Sequence, residues 1–185
     1  GKARVDDIRD VDVEDLLTRP PVAPEGSLMQ ATLLQKAVMV TGAGGSIGSE
    51  LARQAARFGV GTLLLVERAE FALFDIDREL RTAWPELAIV PLVADVCDRD
   101  LMRHLIDRYR PAVVVHSAAH KHVPMMEAFP AEAAKTNVFG TRNVLQEAER
   151  AGCEAFVLIS TDKAVNPANI MGATKRVAEM YCQNM

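Results

Sequence analysis

From Lys36 onward, short and nearly unbroken apolar runs alternate with amphipathic stretches. Ala37–Thr41 reads as a strand, and Ile47, Leu51, Ala55 and Phe58 then recur at helical spacing. Gly59 and Gly61 bracket the turn into a second strand, Thr62–Val66. Phe71–Trp84 reads as a helix ended by Pro85, and Ala88–Val93 as a third strand. Leu101, Leu105, Ile106 and Tyr109 mark the next helix, and Ala112–Val115 a fourth strand. A long helix covers Ala131–Arg150 and stops at Gly152, a C-terminal glycine signal. The strand Phe156–Ile159 and the helix Met171–Met185 close the pattern. Runs of Val, Ile and Leu without polar alternation indicate strands covered on both faces. Five of them, separated by helices, predict a doubly wound parallel sheet of the α/β class.

Residues 1–35 break this rhythm. Val5–Asp15 is acidic with intermittent apolar positions, and Arg19-Pro20-Pro21-Val22-Ala23-Pro24 cannot continue a helix. Ser27 suits the N-cap of a short helix. The expected organisation is an arm or linker over 1–35 and one domain over 36–185. The chain opens on Gly and stops within a helical pattern, as a piece of a longer protein would.

The 185 residues, 49% of them hydrophobic, suffice for one sizeable core. Twenty-one basic against 25 acidic residues give a net charge of −4. That argues against nucleic acid or an anionic membrane surface as the main partner. Cys97, Cys153 and Cys182 are an odd number without CxxC spacing, which disfavours a disulfide framework or zinc ribbon and fits a reducing, cytoplasmic setting. No apolar run reaches membrane-spanning length.

Thr41-Gly42-Ala43-Gly44-Gly45-Ser46-Ile47-Gly48 follows the first strand and opens the first domain helix. A dinucleotide pyrophosphate needs a tight turn, an unobstructed backbone and the free amides of a helix N-terminus. Gly42, Gly45 and Gly48 supply these at GxxGxxG spacing, in the strand–loop–helix context that gives the motif its meaning. Glu67 and Arg68 end the second strand, where a carboxylate receives the adenosine ribose hydroxyls. Glu67 favours NAD, while Arg68 leaves NADP open because a guanidinium can take a 2′-phosphate. A solvated Glu-Arg pair is the alternative. Asp95, before Val96, suits either the adenine amino group or an ordinary turn. Ser117-Ala118-Ala119 would let a cofactor pass close over the sheet. His116, His120 and His122 lie close in sequence but lack a matching Cys or carboxylate pattern, so no metal is expected.

Residues 158–175 carry most of the remaining chemistry. Thr161, Asp162 and Lys163 stand in a row after the last strand, and a helix beyond a Pro-containing loop bears Met171 and Lys175. Positions i and i+4 share a helix face. A hydroxyl, a carboxylate and two ammonium groups are the makings of an acid–base site, whereas a thioether cannot usefully carry a proton. Without its neighbours, Asp162-Lys163 would read as a surface pair.

The glycine loop, the small-residue turn, Asn137-Val138-Phe139-Gly140-Thr141 and the helical Met171-to-Lys175 spacing together resemble the extended short-chain dehydrogenase/reductase superfamily. More narrowly, the run from His116 to Glu127 and the 160–175 block are similar to nucleotide-sugar 4,6-dehydratases. The nearest group is the UDP-N-acetylglucosamine 4,6-dehydratases of the bacterial polysaccharide-biosynthesis (CapD-like) family. The resemblance covers residues 36–185, and Glu14–Pro21 also resembles the segment before the catalytic domain in large, membrane-anchored members. It implies a Rossmann-like NAD(P)-binding domain, cut before the substrate-binding part. It implies NAD, with NADP admitted, held by Gly42, Gly45, Ser46, Ile47, Gly48, Glu67, Arg68, Asp95, Val96, Ala118, Ala119 and Lys175.

Asp162 is then the acid on the departing 6-hydroxyl and Lys163 the C5 base, with Thr161 beside them and Lys175 on the nicotinamide ribose. Met171 stands where the superfamily carries tyrosine, as the large dehydratases also have it, and Asp162 would then take over the C4 hydroxyl. Lys121, His122 and Asn137 are implied near substrate. The implied substrate is a UDP-N-acetylhexosamine, converted to a 4-keto-6-deoxy sugar for surface glycans. The implied parent is a homo-oligomer, anchored at the inner membrane with this domain on the cytoplasmic side. The isolated chain is expected to be weakly active or inactive. A nucleotide-sugar epimerase and a non-catalytic dinucleotide-sensing module are the alternatives.

Overall fold

The computed structural model describes residues 26–185, and the expected acidic and proline-rich stretches of 1–25 lie outside them. Helix α1 (Gly26–Leu33) leads into β1 (Ala37–Thr41), α2 (Ser46–Arg57), β2 (Thr62–Glu67), α3 (Glu70–Ala83), β3 (Ala88–Val93), α4 (Arg99–Tyr109) and β4 (Val113–His116). Then come α5 (Val123–Ala128) and a continuous run of α6 (Pro130–Ala133), a π-helical segment (Ala134–Gly140) and α7 (Thr141–Arg150). Strand β5 (Ala155–Leu158), a 3-10 turn (Asp162–Ala164) and α8 (Ile170–Gln183) complete the domain.

All strand pairs are parallel, in the order β3-β2-β1-β4-β5. Alternate residues of each strand serve opposite faces, as the two-residue period requires. Val38, Val40, Leu63 and Leu65 pack against Ala52 and Ala55 of α2 and Leu73, Ile76 and Leu80 of α3. Met39, Leu64, Val66 and Val114 point the other way, onto Met102 and Ile106 of α4 and Val144 and Ala148 of α7. Both faces are therefore dry, which is why these strands carry no polar alternation. The doubly wound α/β fold expected from the apolar runs is the fold the chain adopts. No helix among the described residues is long and apolar enough to cross a membrane.

Most element ends shift by a residue or two from expectation, and three differences bear on the site. The arm drawn over 1–35 ends earlier, because Leu33 is buried in the core and Gln35 N–H donates to Gly59 O at 2.9 Å. Strand β4 ends on His116, which pairs with Thr41 and Leu158 although a histidine does not look like strand interior. The helix expected straight over Ala131–Arg150 widens to π geometry between Ala134 and Gly140. Segments with i→i+5 bonding are rare insertions within α-helices, and a 3.6-residue template does not mark where they fall.

One buried charge links α4 to α7. The Glu147 side chain is 1% exposed and receives Arg99 at 3.0 Å, Arg150 at 2.6 Å and Arg103 at 3.6 Å. Burial alone would raise its pKa, but hydrogen bonds from Arg150 and Arg99 and the neighbouring positive charge hold it below the ordinary value of 4.5. A depressed folded-state pKa adds stability that is complete above the unfolded value and lost as pH falls through the folded one. Glu147→Gln therefore lowers stability at neutral pH by about 1.5–3 kcal/mol, the worth of hydrogen bonds to a charge. Denaturant titrations should show the difference from wild type shrinking below pH 4.5.

Candidate active site

The sheet changes winding direction beside β1, whose neighbours are β2 and β4. In such sheets the ligand crevice opens at the carboxyl ends of the strands at this point. A cleft of about 380 Å³ lies there, lined by the 42–48 loop, Glu67-Arg68, Asp95-Val96 and Ser117–Lys121. Of the residues expected at the cofactor, Gly42, Gly45, Ser46, Ile47, Gly48, Glu67, Arg68, Asp95, Val96, Ala118 and Ala119 all line it, as does Lys121 from the substrate set. Lys175 does not.

The loop's shape follows from its glycines. Gly42 has φ of 68°, a left-handed turn that costs a side-chain-bearing residue about 1–2 kcal/mol. A Cβ on Gly48 would stand 2.0 Å from Gly42 O, so helix α2 starts pressed against the turn with its first amides facing the cleft. Glu67 braces the loop, its Oε2 accepting from Gly44 N–H at 3.2 Å and its Oε1 from Ala69 N–H at 3.0 Å. Asp95 is both turn former and cleft residue, since Oδ1 accepts from Cys97 N–H at 2.9 Å. Burial alone would raise its pKa. Hydrogen bonds from Cys97 and the charges of Arg68 and Lys135 hold it below the ordinary range.

The second group of expected residues sits on the 3-10 turn and α8, outside the cleft lining. Thr161 caps the turn, and its hydroxyl donates to Asp162 Oδ1 at 2.9 Å. Asp162 and Lys163 are adjacent (3.3 Å) with side chains 86% and 49% exposed. Thr161's hydroxyl, then Lys163's hydrogen bond and charge, hold Asp162 below the usual carboxylate range, so it is ionised at neutral pH. The turn lies flat on α8 because residue 172 is glycine, where a Cβ would meet Lys163 O at 2.3 Å. Lys175 is buried, donates from Nζ to Ile159 O at 2.8 Å, and is pushed down to about 8 by burial.

Met171 is 3% exposed and packs with Met126 and Ala133. Asn137 requires correction. Expected at substrate, it is fully buried, with Oδ1 accepting from His120 N–H and Nδ2 donating to His120 O and Thr174 Oγ1. His122 occupies the N-cap of α5 without capping it through its side chain. The three histidines diverge: His116 is buried, His120 lines the cleft, and His122 starts a helix.

Residues 38–185 match the family model described as polysaccharide biosynthesis protein. The chain belongs to the polysaccharide biosynthesis protein family. It is 44% identical over its whole length to the capsular polysaccharide biosynthesis protein CapD of Staphylococcus aureus, spanning 31% of that protein. Over 78% of the chain it is 30% identical to a UDP-N-acetylglucosamine 4,6-dehydratase (inverting) of Campylobacter jejuni, of which it spans 42%. Over 79% it is 33% identical to a UDP-glucose 4-epimerase of Rickettsia canadensis, again spanning 42%. The X-ray structure of Pen from Bacillus thuringiensis superposes with a TM-score of 0.76 at 30% identity, covering 82% of this chain and 46% of that one. The chain thus spans less than half the length of these family relatives.

This member of the polysaccharide biosynthesis family also lines its cleft with residues the sequence did not single out: Val66, Ala69, Ala72, Ala94 and Thr136. Most neighbour a residue that was singled out, so the loop rather than the residue was the legible unit. Thr136 reaches the cleft from the π-helical segment, for which periodicity carries no signal.

Proposed function

We propose that this chain is the dinucleotide-binding part of a nucleotide-sugar 4,6-dehydratase that acts on a UDP-N-acetylhexosamine. The reading rests on one juxtaposition: a cleft with a glycine cradle and an α2 N-terminus on one side of the sheet's switch point, and an ionised Asp162 beside Lys163 at the end of β5 on the other. The cradle fits a pyrophosphate, since glycine at position 48 lets the first turn of α2 close onto the Gly42 turn, where a Cβ would collide with Gly42 O. Gly42, Gly45, Ser46 and Gly48 would hold the pyrophosphate, Glu67 the adenosine ribose, and Asp95 the adenine edge. When bound, NAD supplies a two-electron acceptor that takes and returns the hydride at the sugar.

The chain's own residues then carry two protons through four transfers. Asp162, starting as carboxylate, receives the 4-hydroxyl proton as C4 is oxidised, which answers the thioether at position 171. Lys163 removes the C5 proton that the 4-ketone has acidified. Asp162 returns its proton to the departing 6-hydroxyl, water leaves, and Lys163 reprotonates C5. The balance is the loss of one water with the cofactor regenerated.

The test uses the intact protein incubated with UDP-N-acetylglucosamine and NAD. Loss of one water by mass, without net cofactor reduction, supports the reading. Unchanged mass with inversion at C4 would establish the epimerase reading, which the Rickettsia relative favours. Unchanged mass and configuration with NAD bound would leave a sensing module.

Glu67 also sets the cofactor's chemistry. With the adenosine ribose on Glu67, a 2′-phosphate would meet its carboxylate, and like charges brought together cost several kcal/mol. Glu67→Ser should raise the NADP-to-NAD affinity ratio on the order of tenfold or more, even as NAD binding itself weakens through loss of the contacts to Gly44 and Ala69. Titration calorimetry with both cofactors checks this, and an unchanged ratio would remove Glu67 from the ribose site.

A further inference from the structure

His116 is wholly buried at the end of β4, outside the cleft, and the proton transfers proposed above do not use it. Its ring packs near Phe156 of β5, with centroids 5.8 Å apart. Both nitrogens are engaged: Nδ1 lies 2.7 Å from Thr41 Oγ1, and Nε2 lies 3.1 Å from Thr141 Oγ1. The surrounding bonds settle the tautomer. Thr141 already donates its hydroxyl proton to Asn137 O at 2.7 Å, so it meets the ring only as an acceptor and Nε2 must carry hydrogen. Nδ1 is then the acceptor and Thr41 the donor, which leaves Thr41's lone pair for Ala118 N–H at 3.4 Å. A second ring proton is disfavoured, because burial and the charge of Lys175 push His116 down to about 3.

The result is one directed chain of hydrogen bonds: Ala118 N–H to Thr41, Thr41 to His116, His116 to Thr141, Thr141 to Asn137 O. Its first two members flank the cofactor cradle, since Thr41 precedes Gly42 and Ala118 lines the cleft. Its last member is the residue whose side chain clamps His120 and Thr174, and Thr174 donates to Met171 O on α8. We propose that His116, held as the neutral Nε2–H tautomer, is a positioning residue that fixes the dinucleotide loop relative to the π-helical segment and the helix bearing Lys175. Every donor in the chain has one acceptor, so reversing any link would leave a buried group unpaired.

The test acts at Thr141, which neither lines the cleft nor touches the glycine loop. Thr141→Val keeps the shape and removes the acceptor, whereas Thr141→Ser keeps the hydroxyl. The 185-residue chain is titrated with NAD by calorimetry, and the ring nitrogens of His116 are read by two-bond proton–nitrogen NMR. The expected pattern is an Nε2–H ring in the wild type, and in Thr141→Val a loss of that tautomer with about tenfold weaker NAD binding. Thr141→Ser should retain the tautomer and bind within about twofold of wild type. A purely structural role would lower the melting temperature of both variants and leave NAD affinity in place, and that result overturns the proposal. So does an Nδ1–H ring in the wild type. The affinity arm rests on the cofactor reading above, but the tautomer arm does not. A wild-type chain that ignores NAD yet shows the Nε2–H ring would therefore count against the cofactor site alone.

Discussion

Gly48→Ala should abolish useful dinucleotide binding while leaving a folded chain. The added methyl would stand 2.0 Å from Gly42 O, 2.7 Å from Gly42 C and 2.7 Å from Ser117 Oγ. Ser117 could rotate away, but the Gly42 backbone cannot. Gly42 is itself wedged against the Ala118 backbone, with 2.8 Å between a notional Cβ and Ala118 N. The remaining relief is for the start of α2 to back away from the turn. That movement withdraws the amides that would face a pyrophosphate and lengthens every contact made there. Overpacking of this kind costs about 1–3 kcal/mol, and here it falls on the bound geometry, so NAD affinity should drop on the order of a hundredfold. Calorimetry against Gly26→Ala as control checks it, because a Cβ on Gly26 meets nothing within 4 Å. Binding by Gly48→Ala within twofold of wild type would show that the pyrophosphate does not sit in this cradle.

The same loop shows what was legible in the sequence. Strand, glycines and helix are local features, and each has a direct backbone cause, so the glycine-loop side of the cleft was legible as a loop. The sheet was legible for a similar reason. Val38, Met39 and Val40 serve both faces, and a run with no polar partner has few other ways to be buried. What the sequence hid depends on contacts between distant segments. Asn137 looked like a polar residue offered to substrate, yet its amide is engaged by a backbone 17 residues away and by Thr174 on α8. His116 looked like the start of a loop, yet it is the last rung of β4 with Thr41 and Thr141 on either side. Met171 and Lys175 do sit one turn apart on α8, but the thioether turns into an apolar cluster and the ammonium toward Ile159. Spacing located the pair, and only packing decided where each end goes.

Asp162→Asn and Lys163→Ala should each lower turnover of the intact protein by about 10²–10⁴-fold, the usual worth of a positioned proton donor or acceptor. Neither change should cost much stability, since both side chains are largely exposed and exposed substitutions stay within about 0.5 kcal/mol. Nor should they alter NAD binding, because neither residue lines the cleft. The two variants nevertheless differ in where the reaction stops. Asparagine keeps the shape of Asp162 and its contact with Thr161, but it cannot receive the 4-hydroxyl proton, so the sugar is never oxidised and quenched reactions contain substrate alone. Alanine at 163 leaves that first transfer intact and removes the C5 base, so a 4-keto sugar that still bears its 6-hydroxyl accumulates up to the enzyme concentration. Single-turnover quenching with mass detection separates the two, the ketone being lighter than substrate by two hydrogens. The ionised state of Asp162, held by Thr161 and Lys163, is what makes this order of events consistent with a thioether at position 171. If Asp162→Asn formed the 4-ketone at the wild-type rate, another group would have to take the C4 proton. Lys175, buried and pushed down to about 8, would then be the next residue to test.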